Sequence, residues 1–281
     1  MKLLSSATIR RCLVADPGYL IITADFDQIE LRVAAALAGE ESLIDAARRG
    51  ESLHKVAALK LFGKDYTPDQ YRYTKNVNFG WLYGGGADTL SRQAKIPFSE
   101  AAKIIKEYQS EFPALTAYKR SEQNKILQSA FTPSEFKYYR FLRSQMYQLR
   151  SDTVEGRIAK ARLDSQIKQL CKGKIGYCIT PFGRRLVVDA IKAYTVVNYK
   201  VQSASRDIMA GALLDVMADP ELESTVLLPI HDEILGQAPK KEAEYFAERY
   251  GKVMSTEFMG VPITASGKVY GMSWGHGYKA K

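Results

Sequence analysis

Acidic residues at two distant positions in the chain could bind metal ions. Asp25 lies near the end of an apolar run over residues 20–26, and Asp232 and Glu233 lie between two further apolar runs. Carboxylates that meet at strand ends can hold two hard cations about 3.5–4 Å apart, an arrangement that assists in-line phosphoryl transfer, and Mg²⁺ prefers such oxygen ligands. A turn aspartate is more often a cap or a solvated residue, so neither acid alone identifies a site.

Two cations and two aromatic residues share one face of a predicted helix over residues 69–83, which the glycines at 84–86 end. The four side chains are Arg72, Lys75, Phe79 and Tyr83. At about 100° per residue they form one narrow stripe. The cations could bind phosphates and the rings could contact a base and a sugar, although an amphipathic helix with buried rings shows the same pattern.

Helical and strand patterns that would position these residues occur along the whole chain. Helical spacing predicts helices over residues 28–38, 69–83, 99–112 (with Ser99 as the N-cap) and 190–217, and helical stretches over 119–170 with a break near Thr132 and Pro133. Apolar runs predict strands over residues 20–26, 225–230, 234–238, 263–265 and 268–270. The second and third of these strands form a hairpin with the acids at its tip, and the whole pattern predicts an α+β fold, an antiparallel sheet with a helical insertion.

The positive charge is concentrated in one segment. The 281 residues include 40 Lys and Arg and 31 Asp and Glu, a net charge of +9. Residues 119–174 alone carry 13 basic and 5 acidic side chains, together with six Phe and Tyr residues. A basic balance of this size favours an anionic partner, nucleic acid before membrane.

Cysteine content and hydropathy argue against a disulfide scaffold and a membrane protein. Cys12, Cys171 and Cys178 are too few for a disulfide framework and lack metal-ligand spacing, which is typical of a reducing compartment. The first residues contain no apolar run of the secretory type, and no stretch of about 18 apolar residues occurs anywhere in the sequence.

Five motifs in order resemble those of the bacterial DNA polymerase I type, family A. They are DFDQIELR at 25–32, KNVNFGWLYG at 75–84, GRR at 183–185, the stretch 198–207 and HDE at 231–233. The resemblance runs from about Ile9 to Trp274 and excludes the basic segment. It implies the palm and fingers portion of such a polymerase, with palm at 1–45, fingers at 46–180 and palm again at 181–281, and no counterpart of the thumb or the 3′–5′ exonuclease.

The resemblance also implies roles for individual residues. The implied metal ligands are Asp25, Asp232 and the backbone carbonyl of Phe26; the other implied catalytic residues are Lys75, on the triphosphate, and Glu233, near the primer end. Implied nucleotide contacts are Gln28 (toward the template), Glu30 (against a 2′-hydroxyl), His54, Arg72, Phe79 and Tyr83. Implied primer–template contacts are Arg184, Asn198, Gln202 and His231. Phe79 implies poor acceptance of dideoxynucleotides.

The implied function is template-directed DNA synthesis by nucleotidyl transfer from a dNTP to a primer 3′-hydroxyl, with two Mg²⁺ ions, or Mn²⁺ in their place. The chain would be the catalytic core or a subunit of a split or minimal polymerase, located in the cytoplasm of a bacterium or phage-infected host. Its expected partners are primer–template DNA, dNTP and a second polypeptide that supplies the thumb or exonuclease, with no membrane. The alternatives are a polymerase-derived scaffold with weak or no catalysis and a single-subunit RNA polymerase, against which Gln28 and Glu30 argue.

Two positions depart from the family pattern. Tyr71 stands four residues before Lys75, where the family usually has arginine, and Arg72 follows it; the stripe geometry predicts that Arg72 still faces the phosphates. Tyr194 stands where many relatives have arginine.

The basic segment 119–174 is an insertion relative to the family. Its charge and aromatic residues predict that it binds the DNA backbone and so partly replaces the DNA contacts of the missing thumb. A docking surface for another polypeptide and a solvated helical hairpin remain as alternatives.

Overall fold

The computed structural model describes residues 6–149, 153–222 and 225–277, which form two compact units. The first contains the described residues up to Leu37, Glu41–Leu53 and those from Ala204 onward; the second contains Ala38–Glu40 and His54–Ser203. The predicted α+β class with antiparallel sheets is confirmed. Among the described residues, no helix is both long and apolar enough to cross a bilayer.

Helices make up most of the described chain. They are α1 (Ser6–Arg11), α2 (Ile29–Ala38), α3 (Glu41–Arg48), α4 (Leu53–Phe62), α5 (Pro68–Leu82), α6 (Ala87–Ala94), α7 (Phe98–Glu111), α8 (Pro113–Ala130), α9 (Pro133–Gln148), α10 (Val154–Cys171), α11 (Val196–Ala218) and α12 (Ala243–Met254). The strands are β1 (Tyr19–Phe26), β2 (Ile175–Ile179), β3 (Arg185–Asp189), β4 (Val226–Ile230), β5 (Glu233–Pro239), β6 (Thr256–Phe258), β7 (Val261–Ile263) and β8 (Ala265–Gly271).

The first unit is built on an antiparallel sheet with the strand order β4-β5-β1-β8. β1 pairs on both sides, and its Ile21, Ile22 and Ala24 are fully buried. Helix α12 packs on β1 and β8. The contact with β8 requires a glycine, because a Cβ at Gly267 would lie 1.8 Å from the carbonyl oxygen of Ala247.

The second unit is helical apart from the hairpin β2–β3. Its core contains an aromatic cluster, in which the ring centroids of Trp81 and Tyr108 are 5.3 Å apart and those of Tyr108 and Phe112 are 4.8 Å apart. The Lys119 ammonium lies 4.2 Å from the centroid of the Trp81 ring and donates a hydrogen bond to the Trp81 carbonyl at the end of α5. Burial lowers the pKa of Lys119 to about 8.

Several predicted boundaries are wrong in detail. The predicted cap Ser99 lies inside α7, which Pro97 precedes as the N-cap residue. The predicted helix 190–217 is a 3₁₀ helix, Ala190–Thr195, followed by α11, because the backbone at Lys192 is not helical. The sequence did not predict the hairpin β2–β3 or strand β6. In β2, residues 175–179 alternate between buried and exposed positions, but all except one of them are apolar. The alternation of apolar and polar residues that usually marks a strand is therefore missing there.

The predicted break near Thr132 and Pro133 is confirmed. The Thr132 side chain accepts a hydrogen bond from the Glu135 backbone N–H, and the Glu135 side chain accepts one from the Thr132 backbone N–H, a capping box that begins α9. Lys174 pairs with Glu135 at 2.8 Å. This ammonium, together with the hydrogen bonds from Thr132, lowers the pKa of Glu135 to about 2.

Candidate active site

Two strands of the first unit bring the predicted acidic residues together. Asp25, near the end of β1, is the cross-strand neighbour of Glu233, the first residue of β5. The Phe26 backbone N–H donates to the Asp232 carbonyl oxygen at 3.1 Å. Ile230 pairs with Glu233, so the turn between β4 and β5 has only two residues, and it holds Asp232 beside the end of β1.

The acidic cluster perturbs Asp25. Its pKa rises to about 6, first because the carboxyl group is partly buried and then because the carboxylates of Asp232 and Glu233 lie nearby; Lys268 opposes the rise. Glu233 is itself buried and accepts a hydrogen bond from the Thr23 hydroxyl. A perturbed carboxyl group beside two other acids is a feature typical of functional sites.

His231 completes the tip of the hairpin. It adopts a left-handed backbone conformation, with φ of 58°, as the first residue of the turn. Its Nδ1 lies 2.8 Å from Asp232 Oδ1. The pKa of His231 is raised, mainly by this hydrogen bond and further by the charges of Asp232, Glu30 and Asp25. Glu30, on the first turn of α2, therefore lies in the electrostatic field of the same tip.

Polar contacts fix the chain after β1. The carboxylate of Asp27 accepts hydrogen bonds from the hydroxyls of Thr264 and Ser266, both at 3.0 Å. The buried Arg32 donates to the carbonyl oxygens of Asp27 and Pro262, both at 2.7 Å. Sequence reasoning gave Asp27 and Arg32 no role, although both belong to the DFDQIELR motif; their contacts hold the segment that follows Asp25 against β7 and β8.

Gln28 lies at the start of α2. Its backbone is left-handed, with φ of 56°, and its carbonyl accepts the backbone N–H groups of Leu31 and Arg32. The side-chain amide of Gln28 donates to the Ser52 hydroxyl at 3.4 Å. The predicted contact between Gln28 and the template side remains a prediction.

The donor atoms of this cluster fit a hard cation. Asp25 and Asp232 offer carboxylate oxygens, and Phe26 adds a backbone carbonyl. The pKa of Asp25 is raised first by burial and then by the neighbouring carboxylates, whose negative charge a cation would neutralise. No group of three or more His, Cys, Asp or Glu side chains in the described residues has the geometry of a metal site. Mg²⁺ commonly takes only one or two protein carboxylates and completes its shell with water and phosphate, so two side chains suffice.

A hollow of about 630 Å³ lies along α5 in the second unit. Three of the four stripe residues line it, namely Lys75, Phe79 and Tyr83. The rings of Phe79 and Tyr83 have centroids 6.2 Å apart, and Lys75 Nζ lies 4.7 Å from the centroid of the Tyr71 ring. The hollow thus combines one exposed cation with two aromatic rings; cations bind phosphates and aromatic rings contact flat apolar groups.

Arg72 and His54 are placed differently from Lys75. Arg72 is exposed, pairs with Asp69 at 2.9 Å and is not among the residues that line the hollow. His54 is buried; its Nδ1 lies 2.7 Å from Asn78 Nδ2, and its ring meets Phe79 edge-on at 5.4 Å. Burial, and secondarily Lys75, lowers the pKa of His54 to about 4. The predicted phosphate contacts of both residues remain predictions.

Helix α6 supplies lining residues that no motif had indicated. Thr89 and Gln93 line the hollow one helical turn apart, together with Asn76, Gly80 and Gly85. Helical spacing in residues 87–94 was the available signal, but it does not show which face of α6 meets α5. Tyr194, the second family departure, packs on Gly84, where a Cβ would lie 2.2 Å from Tyr194 Cδ2.

The other predicted DNA contacts lie on two further elements of the second unit. Arg184 is exposed in the turn between β2 and β3, and its backbone N–H donates to the Thr180 hydroxyl at 3.0 Å. Asn198 and Gln202 lie one turn apart on α11. Gln202 is exposed, whereas the side-chain oxygen of Asn198 is buried and has no hydrogen-bond partner among the described residues. An unsatisfied acceptor of this kind has capacity for a ligand's donor.

The basic segment is not uniform. Its first part belongs to α8, where Glu122 is buried and pairs with Lys125 at 2.6 Å and with Lys200 at 2.8 Å. Lys119 is partly buried against Trp81. These charges stabilise the helical core, so the part of the basic segment that is left to bind an external partner is the helix pair α9–α10. Arg150 and Asp152 of the segment lie outside the described residues.

Comparison with known proteins assigns the chain to a family. Residues 2–276 match the family model described as DNA polymerase family A. A DNA polymerase of Mycobacterium phage D29 is 32% identical over 98% of this chain and 38% of its own length. The thermostable DNA polymerase I of Thermus aquaticus is 30% identical over 91% of this chain and 27% of its own length. The chain therefore spans about a quarter to two fifths of these relatives.

A solved structure shows the same fold. It is the POL domain of Pol1 from M. smegmatis in complex with DNA primer-template and dNTP, with a TM-score of 0.72 over 98% of this chain and 44% of that chain. The sequence identity is 23%, so the comparison concerns the fold.

Proposed function

The chain belongs to DNA polymerase family A, and from this premise we propose that it catalyses template-directed DNA synthesis from dNTPs. The observation that carries the proposal is the cluster of Asp25, Asp232 and Glu233 at the junction of β1 and the β4–β5 hairpin. The reaction is attack of a primer 3′-hydroxyl on the α-phosphate of a dNTP with release of pyrophosphate. The proton of the 3′-hydroxyl passes to solvent water, and the bond between the α-phosphorus and the pyrophosphate oxygen breaks as the new phosphodiester bond forms.

Asp25, Asp232 and the carbonyl of Phe26 would hold the divalent ions, Mg²⁺ or Mn²⁺. When bound, these ions would lower the pKa of the 3′-hydroxyl and stabilise negative charge on the phosphates. The partial burial of Asp25 reduces its solvation, which strengthens its attraction to a cation. Glu233, fixed by Thr23, orients the primer end, and Glu30 disfavours a ribose 2′-hydroxyl.

Residues of the second unit bind the nucleotide in this proposal. Lys75 contacts the triphosphate and donates a proton to the leaving pyrophosphate, while Phe79 and Tyr83 contact the sugar and base. Arg72 and His54 are additional phosphate contacts. Such roles agree with the exposed ammonium and half-buried rings around the 630 Å³ hollow.

The proposed partners are primer–template DNA and dNTP. Gln28, Arg184, Asn198, Gln202 and His231 contact the DNA in this proposal. We also propose a second polypeptide that supplies a thumb or an exonuclease. The proposed location is the cytoplasm of a bacterium or of a phage-infected host.

Primer extension tests the proposed function. We expect the wild type to extend a primer with dNTPs and excess MgCl₂, and Asp232→Asn to lower the rate about 10²-fold or more, because an amide is a poor ligand for a hard cation. Asp215→Asn is the matched control, since Asp215 is an exposed aspartate of α11 that is not among the charges that shift the pKa of Asp25. Equal extension by wild type and Asp232→Asn would refute the proposal, and a preference for ribonucleotides would point to an RNA polymerase.

A further inference from the structure

The helix pair α9–α10 contains a surface to which none of the proposed catalytic residues belongs. The two helices pack on each other, and residues of both line an open hollow of about 670 Å³. Its walls are largely apolar and include Tyr138, Phe141 and Leu142 of α9 and Ile158 and Leu163 of α10.

Two aromatic rings form one rim of this hollow. Tyr138 is 48% exposed and Phe141 is 56% exposed. Their ring centroids are 6.5 Å apart and their planes differ by only 17°. Exposed rings in nearly parallel planes match the geometry of successive bases in a single strand, whose planes are also parallel.

Unpaired cations lie along the same helix. Lys137 and Arg140, one turn apart, line a second hollow of about 370 Å³ on the other side of Phe141. Neither makes an ion pair or a hydrogen bond with any described residue, and the same holds for Arg162, which lines the apolar hollow from α10. In contrast, Lys125, Lys168 and Lys174 of the basic segment each pair with a carboxylate.

We propose that α9 and α10 bind single-stranded DNA, with bases stacked on Tyr138 and Phe141 and phosphates bound by Lys137 and Arg140. This proposal adds a DNA-binding surface to the proposed function and rests on that function. In primer extension the template beyond the primer end is single-stranded, and that segment is the strand we expect to bind. A ligand with flat apolar faces and a regular negative charge satisfies both the rings and the cations.

The same observations argue against two other ligands. Duplex DNA keeps its bases inside the stack, so it would satisfy the cations and leave the exposed rings without a contact. An acidic amphipathic helix could fill the apolar hollow, but it would not require two rings in parallel planes beside it. The arrangement therefore favours a single strand.

Fluorescence anisotropy tests the proposal with a labelled oligo-dT of about 20 nucleotides, in EDTA and without dNTP. Tyr138→Ala/Phe141→Ala is expected to weaken binding about tenfold or more at fixed salt, because each stacked base contributes substantially to affinity. The affinity for a blunt duplex of the same length should stay within about twofold. Phe98→Ala is the matched control, since Phe98 is an exposed ring at the start of α7, and it should bind oligo-dT like the wild type.

The charged residues have a separate readout. Lys137→Gln/Arg140→Gln should reduce the slope of log K against log[salt] by about 1.4 for oligo-dT, since each lost single-strand phosphate contact removes about 0.7. Lys240→Gln/Lys241→Gln removes two exposed charges at the end of β5 and serves as the control. All four side chains are exposed, and circular dichroism should show that every variant folds.

Three outcomes would overturn the proposal. The first is unchanged oligo-dT binding by Tyr138→Ala/Phe141→Ala, which would favour a protein as the ligand of the hollow. The second is an equal loss of affinity for duplex and single-stranded DNA in that variant. The third is an unchanged salt slope in Lys137→Gln/Arg140→Gln. The failure of this proposal is distinguishable from failure of the polymerase proposal. Oligo-dT binding in EDTA requires no catalysis, and primer extension on a template with a minimal overhang requires no contact with α9–α10.

Discussion

Asp25 of β1 and Glu233 of β5 are direct cross-strand neighbours, although they come from opposite ends of the chain. Like charges placed opposite each other destabilise a sheet, and the nearby Asp232 adds a third negative charge that also raises the pKa of Asp25. Lys268 opposes part of this repulsion. The cluster is therefore the point of the sheet at which the proposed divalent ions would neutralise negative charge.

Asp25→Asn should stabilise the metal-free protein and abolish its stabilisation by Mg²⁺. Removing one of the neighbouring charges relieves repulsion, and we expect the melting temperature of the first unit to rise by about 2–4 °C, which corresponds to about 1 kcal/mol. Excess MgCl₂ should raise the melting temperature of the wild type but not of the variant. In a Trp81→Phe background the fluorescence of Trp274 reports on this unit, because the ring belongs to a buried cluster with Ile21 and Leu235. A Mg²⁺-dependent shift retained in Asp25→Asn would contradict the assignment.

His54 should make the second unit sensitive to acid. Its pKa is about 4 in the folded chain against about 6.5 for a solvated histidine, so the unfolded state binds more protons between these limits. Stability is therefore complete above pH 6.5 and falls as the pH decreases toward 4, by about 2 kcal/mol at pH 5. Urea unfolding followed by the buried Trp81 should show this loss in the wild type but not in His54→Gln.

His231→Gln is the control for this measurement. His231 belongs to the first unit, and its pKa is shifted upward rather than downward. The acid sensitivity of the second unit should persist in this variant. An NMR titration that placed the pKa of His54 at or above 6.5 would contradict the prediction directly.

Phe79→Tyr should increase the use of dideoxynucleotides. Phe79 lines the hollow on α5, and the resemblance places it at the sugar of the incoming nucleotide. A phenol hydroxyl there could replace the hydrogen bond lost with the 3′-hydroxyl, which corresponds to a roughly tenfold change in the ratio of dideoxy to deoxy incorporation. Competitive primer extension measures this ratio, and Phe98→Tyr should leave it unchanged; no change in Phe79→Tyr would mean that the ring is not at the sugar.

Gly84→Ala should destabilise the second unit by about 2–3 kcal/mol. Gly84 has φ of +95°, and an added Cβ would lie 2.2 Å from Tyr194 Cδ2. Gly173→Ala isolates the backbone contribution, because Gly173 has φ of +71° and an added Cβ there would meet no atom within 4 Å. It should lower the free energy of unfolding by only about 1 kcal/mol. Thermal unfolding measures both, and Gly84→Ala/Tyr194→Ala should remove the clash while the backbone strain persists.

Local signals in the sequence predicted the elements that carry the candidate site. The apolar run before Asp25 corresponds to β1, the helix that carries Lys75 and Phe79 corresponds to α5, and the break at Thr132 and Pro133 follows from a capping box. Each of these features depends on neighbouring residues only. The predicted cap at Ser99 and the predicted start of an α-helix at Ala190 were wrong, because caps and kinks depend on φ/ψ values that tertiary contacts decide.

The family motifs and the chemical types of the candidate residues are readable from the sequence, because Asp, Lys, Phe and Tyr stand at fixed spacings within short segments. Which of these residues share one environment depends on the fold: the register of β1 on β5 places Asp25 opposite Glu233, and burial shifts the pKa of Asp25 and His54. The fold also distinguishes Lys119, which is partly buried against Trp81, from Lys137 and Arg140, which are exposed on α9. The physical reason is that charge, spacing and periodicity are local properties of a chain, whereas desolvation and pairing across strands arise only when distant segments pack together.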